Sequence, residues 1–556
     1  MAITETSTTT TDADASVAAE PAASPSGFVE PSGLGAVLGS GDHKTVGRLY
    51  IGFSLAFGVV AFALAGLSDL QGIGDGGTIL GLNSAFPVFT LGQLSLVLLF
   101  AIPLLLGLAT AIVPLQVGAN TVAFPRAAAG AFWTWLVSAG ALISAYAIDG
   151  AIGSGANEES QQLAFLALIG LALALVVGSV CVVTTVVALR TGGMALDRVP
   201  FFSWSMLVAG GLWVMTLGVF AANVLLVLIA VKYGTDNKYA AAFNQWPQLA
   251  WLVTPPAVFT FAIPALGIAA DAVTTFTGAR QPRRGAVLFA IAAFGALSFG
   301  AYVQPFFNIG AQHQWIVVGQ SALLVLPLLL LLGGLGAAMK AGKPKLASPP
   351  ILGLVALLLL LLATLLAIPF GIQSLQLEAP ADSLIATNQA LREAASATPP
   401  YLWGVLGLAA SALTVAGAAG VYLWAPKLVG RRLGDGLGKL LVLILGAGAL
   451  LTSVPLVVLG FAPKASGLAD SADALFGAAA AGAAVMAVGA FVIVAPMVAG
   501  RLAVIAGGRT DEPDAWGSGQ TLEWLAGSPP ATGNFGTLAP VASPEPLLDL
   551  ADGGDA

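Results

Sequence analysis

The sequence predicts an all-α membrane protein, a bundle of twelve transmembrane helices. Three observations carry this. Of 556 residues 57% are hydrophobic and only 9% charged, with a mean hydropathy of +0.91, whereas soluble proteins carry roughly 25% charged residues. Apolar runs long enough for a span of about 20 residues recur along the chain. Lys and Arg, finally, divide unequally between alternate connections.

Before Lys44 the chain is rich in Ser, Thr, Ala and Pro, with Glu5, Asp12, Asp14, Glu20 and Glu30 and no Lys or Arg; residues 1–41 read as a disordered acidic tail. A membrane domain over 42–508 follows, its apolar runs at 47–67, 89–114, 130–148, 162–189, 202–231, 249–278, 285–305, 315–338, 350–371, 401–425, 438–461 and 475–505. Pro103, Pro264 and Pro327 fall inside runs, where neighbouring helices tolerate them, so they mark no boundaries. Residues 509–556 read as a cytoplasmic segment. Twelve spans place 17 of the 21 Lys and Arg on the side of the N-terminus and only Lys232, Lys238, Arg392 and Lys464 on the other. By the positive-inside rule both termini are expected in the cytoplasm. A net charge of -7 argues against nucleic acid as a partner. Cys181, the sole cysteine, permits no disulfide framework and reads as a small core residue.

The connecting segments carry a resemblance. Asp42-His43-Lys44-Thr45-Val46-Gly47-Arg48-Leu49-Tyr50 opens the first span. Val113-Pro114-Leu115-Gln116-Val117-Gly118 with Ala123-Phe124-Pro125-Arg126 joins spans two and three. Gly420-Val421-Tyr422-Leu423-Trp424, Pro426-Lys427 and Gly430-Arg431-Arg432-Leu433 close span ten, and Trp516, Thr521-Leu522-Glu523-Trp524 and Ser528-Pro529-Pro530 follow the last span. In this order the set resembles subunit I of the heme-copper oxidases, the catalytic subunit of cytochrome c oxidase. The resemblance implies a twelve-helix fold, heme and copper, oxygen reduction coupled to proton pumping, and other respiratory membrane subunits as partners.

It also implies six histidines, since imidazole suits both metals: two for a low-spin heme, one for a high-spin heme and three for copper. This sequence holds two, His43 and His313. The low-spin heme positions fall on Gly92 and Leu406, and the high-spin position on Gly404. The family's His-Pro-Glu-Val-Tyr signature corresponds to Pro255-Pro256-Ala257-Val258-Phe259, and its His-His pair to Gln304-Pro305, so Pro255, Gln304 and Pro305 stand at the copper positions. The proton-channel positions correspond to Thr121, Leu328 and Leu331, and the basic pair for heme propionates is reduced to Pro463-Lys464-Ala465. The expectation is a chain with no catalytic residue, metal site or cofactor.

His43 and His313 read as surface residues and Glu158-Glu159 as solvated. Asp271 lies inside span six, where an unpaired carboxylate is costly; a structural hydrogen bond and a residual intramembrane polar site remain equal alternatives. The function this supports, with the resemblance, is a non-catalytic accessory or scaffold subunit of a respiratory-type complex in the lipid bilayer of a prokaryotic plasma membrane. The alternatives are a working terminal oxidase, which lacks its ligands, and a transporter reusing the vacated interior around Asp271.

Overall fold

The computed structural model describes residues 35, 37, 39–73, 80, 82–152, 156–234, 246, 249–254, 257–299, 310–370, 372, 399–461, 468–498, 506–509 and 512–552. Most of the acidic tail therefore lies outside the described residues, as do Pro255, Gln304, Pro305 and Lys464. The unit formed by Gly41–Ala556 holds all the membrane elements.

Each apolar run contains a helix. In order these are α1 His43–Leu70, α2 Ser84–Gln116, α3 Pro125–Asp149, α4 Glu158–Ala188, α5 Phe201–Tyr233, α6 Ala257–Thr277, α7 Arg284–Ser298, α8 Gly310–Ala341, α9 Ser348–Phe370, α10 Pro400–Val429, α11 Asp435–Leu459 and α12 Ala472–Val498. Among the described residues eleven are long and apolar enough to cross a membrane, and α7 is the shorter one. Its 15 residues rise about 22 Å, less than the hydrocarbon core of a bilayer, and the rest of the run expected over 285–305 meets residues outside the described set. Twelve crossings are thus an expectation met by eleven helices of crossing length and one shorter apolar helix.

Local chemistry explains the boundaries. Asp42 caps α1 by accepting from the Lys44 N–H, and Asn157 caps α4 by accepting from the Ser160 N–H. Glu158 and Glu159 are exposed in the first turn of α4, where the helix dipole favours anions. Gly150, Gly234 and Gly430 end α3, α5 and α10 in the left-handed conformation. Pro264 and Pro327 sit inside α6 and α8. Pro103 follows a π-helical stretch, Ser95–Ala101, in which the Ile102 N–H reaches back to the Val97 carbonyl; the widened turn absorbs the bond that proline cannot make.

Three helices are buried on all sides: α2, α6 and α10, every fourth in the chain. The others are about half buried, and turn side chains such as Val137 and Leu443 outward, each 70% exposed. An apolar exterior around a closed interior is what lipid requires. α1 and α2 cross at Gly47 and Gly107: a Cβ at Gly47 would stand 2.7 Å from the Gly107 carbonyl, so only hydrogen fits. Two short strands, β1 Arg431–Leu433 and β2 Ala506–Arg509, pair antiparallel. Residues 512–552, with the short helix α13 Pro546–Ala551, pack on one end of the bundle.

Candidate functional site

Two buried carboxylates, Asp271 and Glu523, sit where α2, α5, α6 and the C-terminal segment meet. α5 starts after Pro200 with no side-chain cap of its own. Asp271 of α6 supplies one: its carboxylate accepts from the Phe201 and Phe202 N–H groups, both at 3.0 Å, and from Gln116 Nε2 at 2.8 Å. Gly267, one turn back on α6, makes the approach possible, since a Cβ there would stand 2.6 Å from the Phe201 carbonyl. Gln116 turns its Oε1 to the Ser203 N–H and hydroxyl, at 3.1 and 2.7 Å, and its Nε2 also donates to Glu523 at 3.1 Å. Of the two alternatives for Asp271, its contacts are those of a structural cap, three donors converging on one carboxylate. Glu523 is fully enclosed, and its Oε2 has no partner among the described residues. Burial pushes its carboxyl above the ordinary value, against the hydrogen bond from Gln116 that favours the ionised form.

His43 corrects the surface expectation. It is 1% exposed. Its Nδ1 lies 3.0 Å from the Thr110 carbonyl, which only accepts, so Nδ1 carries the hydrogen and the neutral ring accepts at Nε2 from Asn534 Nδ2, 2.9 Å away. Asn534 also donates to the Ala119 carbonyl and accepts from Lys44 Nζ. Both ring nitrogens are thus engaged, and the histidine ties α1 and α2 to the C-terminal segment. A run containing a Lys, an Asp and a His reads as solvated; the covering segment lies about 490 residues away in sequence, so no local pattern reveals it. His313 lies in α8, but its side chain is outside the described set.

Of the positions assigned by resemblance, the heme set Gly92, Gly404 and Leu406 lies among the described residues and is interior. Gly92 is buried on α2 with Leu64 of α1 against it, 3.3 Å from where a Cβ would stand. Gly404 leaves no room at all, since a Cβ would meet the Ser453 carbonyl at 2.7 Å and the Val457 nitrogen at 2.9 Å. Leu406 is 1% exposed and lines a cavity of about 30 Å³ between α1, α2, α10 and α11, room for one or two waters. Ala65, beside Gly92, lines the same cavity. Phe259, at the family's tyrosine position, is buried and brings no hydroxyl. Among the described residues no three His, Cys, Asp or Glu side chains gather as a metal site. Cys181 is buried beside Val122 and Ala128.

Architecture and motif order now meet an independent comparison. The family described as cytochrome C and quinol oxidase polypeptide I matches residues 45–379, more than half of the chain. The chain belongs to this family. A putative cytochrome c oxidase subunit 1-beta of Streptomyces avermitilis is 28% identical, the match covering 92% of this chain and 91% of the relative. A heme-copper oxidase subunit I+III of Aeropyrum pernix is 26% identical over 89% of this chain and 60% of its own, and a cytochrome c oxidase subunit 1 of Corynebacterium glutamicum 26% over 92% and 87%. Within the polypeptide I fold, three buried carboxylates escaped the sequence reading, Asp69, Glu523 and Glu545. Glu523 sits in a quoted motif with nothing local to mark it as covered. Asp69 lies two residues past the first apolar run and carried a signal, a lone acid one residue from the end of helix α1.

Proposed function

We propose that this member of the polypeptide I family is a non-catalytic accessory or scaffold subunit of a respiratory-type membrane complex, with no heme and no copper. The observation that carries the reading is the histidine inventory: two in 556 residues, one of them, His43, with both ring nitrogens engaged. The six-imidazole set implied by the resemblance cannot be assembled from it. Support comes from the packing of Gly404 on α11 and from the small size of the cavity beside Leu406, so Gly92, Gly404 and Leu406 stand as vacated heme positions and Pro255, Gln304 and Pro305 as vacated copper positions. The residues present do not fit these groups, and no oxygen chemistry is derived through them. The 17-to-4 division of cations supports both termini in the cytoplasm, with residues 42–508 as the membrane domain and 509–556 as its cytoplasmic cover.

The test is purification from the native membrane, with a reduced-minus-oxidised and pyridine hemochrome spectrum, oxygen uptake with reduced cytochrome c, and identification of co-purifying chains. The expected result is no heme, no oxygen uptake and recovery with other respiratory membrane subunits. Stoichiometric heme overturns the reading.

A further inference from the structure

We propose that the cavity between α1, α2, α10 and α11 binds one small monovalent cation of the sodium class, held by the Asp69 carboxylate and the side-chain carbonyl of Gln93. Asp69 is 4% exposed and Gln93 7%, and both line the cavity with Ser68, Trp403, Leu406 and Thr452. Three of these side chains have polar atoms left over. Among the described residues Gln93 Oε1 and Trp403 Nε1 have no hydrogen-bond partner, and the Asp69 carboxylate makes no hydrogen bond or ion pair. A membrane interior does not leave polar groups idle at no cost, so three around one cavity point to an occupant.

Charge and size select it. Among the described residues no Lys, Arg or His lines the cavity, so a carboxylate there lacks its counter-charge, and one carboxylate calls for one positive charge. A divalent ion takes more: calcium gathers 6–8 oxygens, usually several of them anionic, and no such acidic cluster exists among the described residues. A volume of about 30 Å³ admits a bare monovalent ion with a water and excludes any organic cation. Ser68 and Thr452 donate their hydroxyl hydrogens to the Leu64 and Gly448 carbonyls, which leaves their oxygen lone pairs free to face a cation. The Trp403 N–H, a donor only, serves an acceptor in the same space, a water or a carboxylate oxygen.

The proposal rests on the reading that no heme occupies the space beside Leu406. The experiment is thermal unfolding of the full chain in detergent at constant pH and ionic strength, with sodium chloride replaced stepwise by N-methyl-D-glucamine chloride, whose cation is too large to enter. Binding to the folded state alone raises the midpoint with sodium in a saturable way. Asp69→Asn is expected to abolish the sodium shift, Leu406→Phe to abolish it by filling the cavity, and Gln93→Ala to raise the half-saturating sodium concentration about tenfold. A wild-type midpoint indifferent to sodium overturns the proposal, as does a shift that survives in Asp69→Asn. Should that variant not fold, the wild-type series and Leu406→Phe decide. A midpoint that responds to acid but not to sodium means that the carboxylate takes a proton, and equally overturns it. A heme spectrum of the same preparation separates the failures: heme present overturns both readings, heme absent with no sodium effect overturns this one alone.

Discussion

At the scale of single residues, buried polar groups hold this molecule together by joining elements that hydrophobic contact alone would leave free to slide. Asp271 is the clearest case, because its loss strands two backbone N–H groups at the start of α5 together with one amide hydrogen of Gln116. Each buried unsatisfied group costs about 1–3 kcal/mol, so Asp271→Ala is expected to destabilise by on the order of 3 kcal/mol. Thermal unfolding in detergent checks this, and a variant as stable as the parent would show that α5 needs no cap. Glu523 titrates in the opposite sense to a salt-bridged acid. Since burial raises its value in the folded chain, its contribution is fully present below the unfolded value of about 4.3 and is lost as pH rises through the folded value. Glu523→Gln removes that loss, so its unfolding midpoint should gain on the wild type as pH rises from acid to neutral; parallel pH profiles would refute it.

At the scale of elements, the C-terminal segment works as a latch across the helix ends. Lys427 of α10 donates to the carbonyls of Pro513, at 2.7 Å, and Ala526, at 2.6 Å, and to the Ser528 hydroxyl. Arg280 pairs with Asp549 at 2.6 Å, and Arg284 lies 3.6 Å from Glu545. The exposed Arg280 pair adds little to stability by itself. Lys427 is different, because its ammonium is enclosed by acceptors from a single stretch of chain. Lys427→Met keeps much of the side-chain volume and discards the hydrogen bonds. It should make the region around 513–528 cleavable by protease while the twelve helices stay intact, as read by fragment mass and circular dichroism; unchanged resistance to cleavage would mean that the segment is held elsewhere.

At the scale of the whole membrane unit, Lys44, Arg198, Arg280, Arg284 and Lys427 all contact residues 512–552 and so share one face. Lys232 stands near the far end of α5, whose 33 residues rise about 50 Å. With Cys181 replaced by serine, a cysteine at Lys232 should react with a membrane-impermeant maleimide on intact cells and a cysteine at Lys343 should not. The reverse pattern would invert the proposed topology. Restoring histidine at Gly92 and Leu406 together is expected to produce no low-spin heme spectrum. Leu64 crowds the first position, and the cavity at the second has room for one or two waters rather than a macrocycle. Heme uptake by the double variant would show that the slot opens readily.

The sequence by itself determined the class, the number and order of apolar helices, and the family, because hydropathy, cation asymmetry and short motifs are local properties that survive without neighbours. It also determined the shortage of imidazole, a matter of counting. Tertiary structure alone decided which of twelve similar runs lie at the centre: α6 and α10 are less apolar than the helices beside them, α2 is no more apolar than the outward-facing α4, and only packing distinguishes a helix ringed by protein from one facing lipid. It decided that His43 is buried and that Asp271 caps a helix some 70 residues away in sequence, because both depend on partners brought together by folding. The cavity at Asp69 belongs to the same kind, since four helices must converge before a lone acid at the end of a span acquires a site around it.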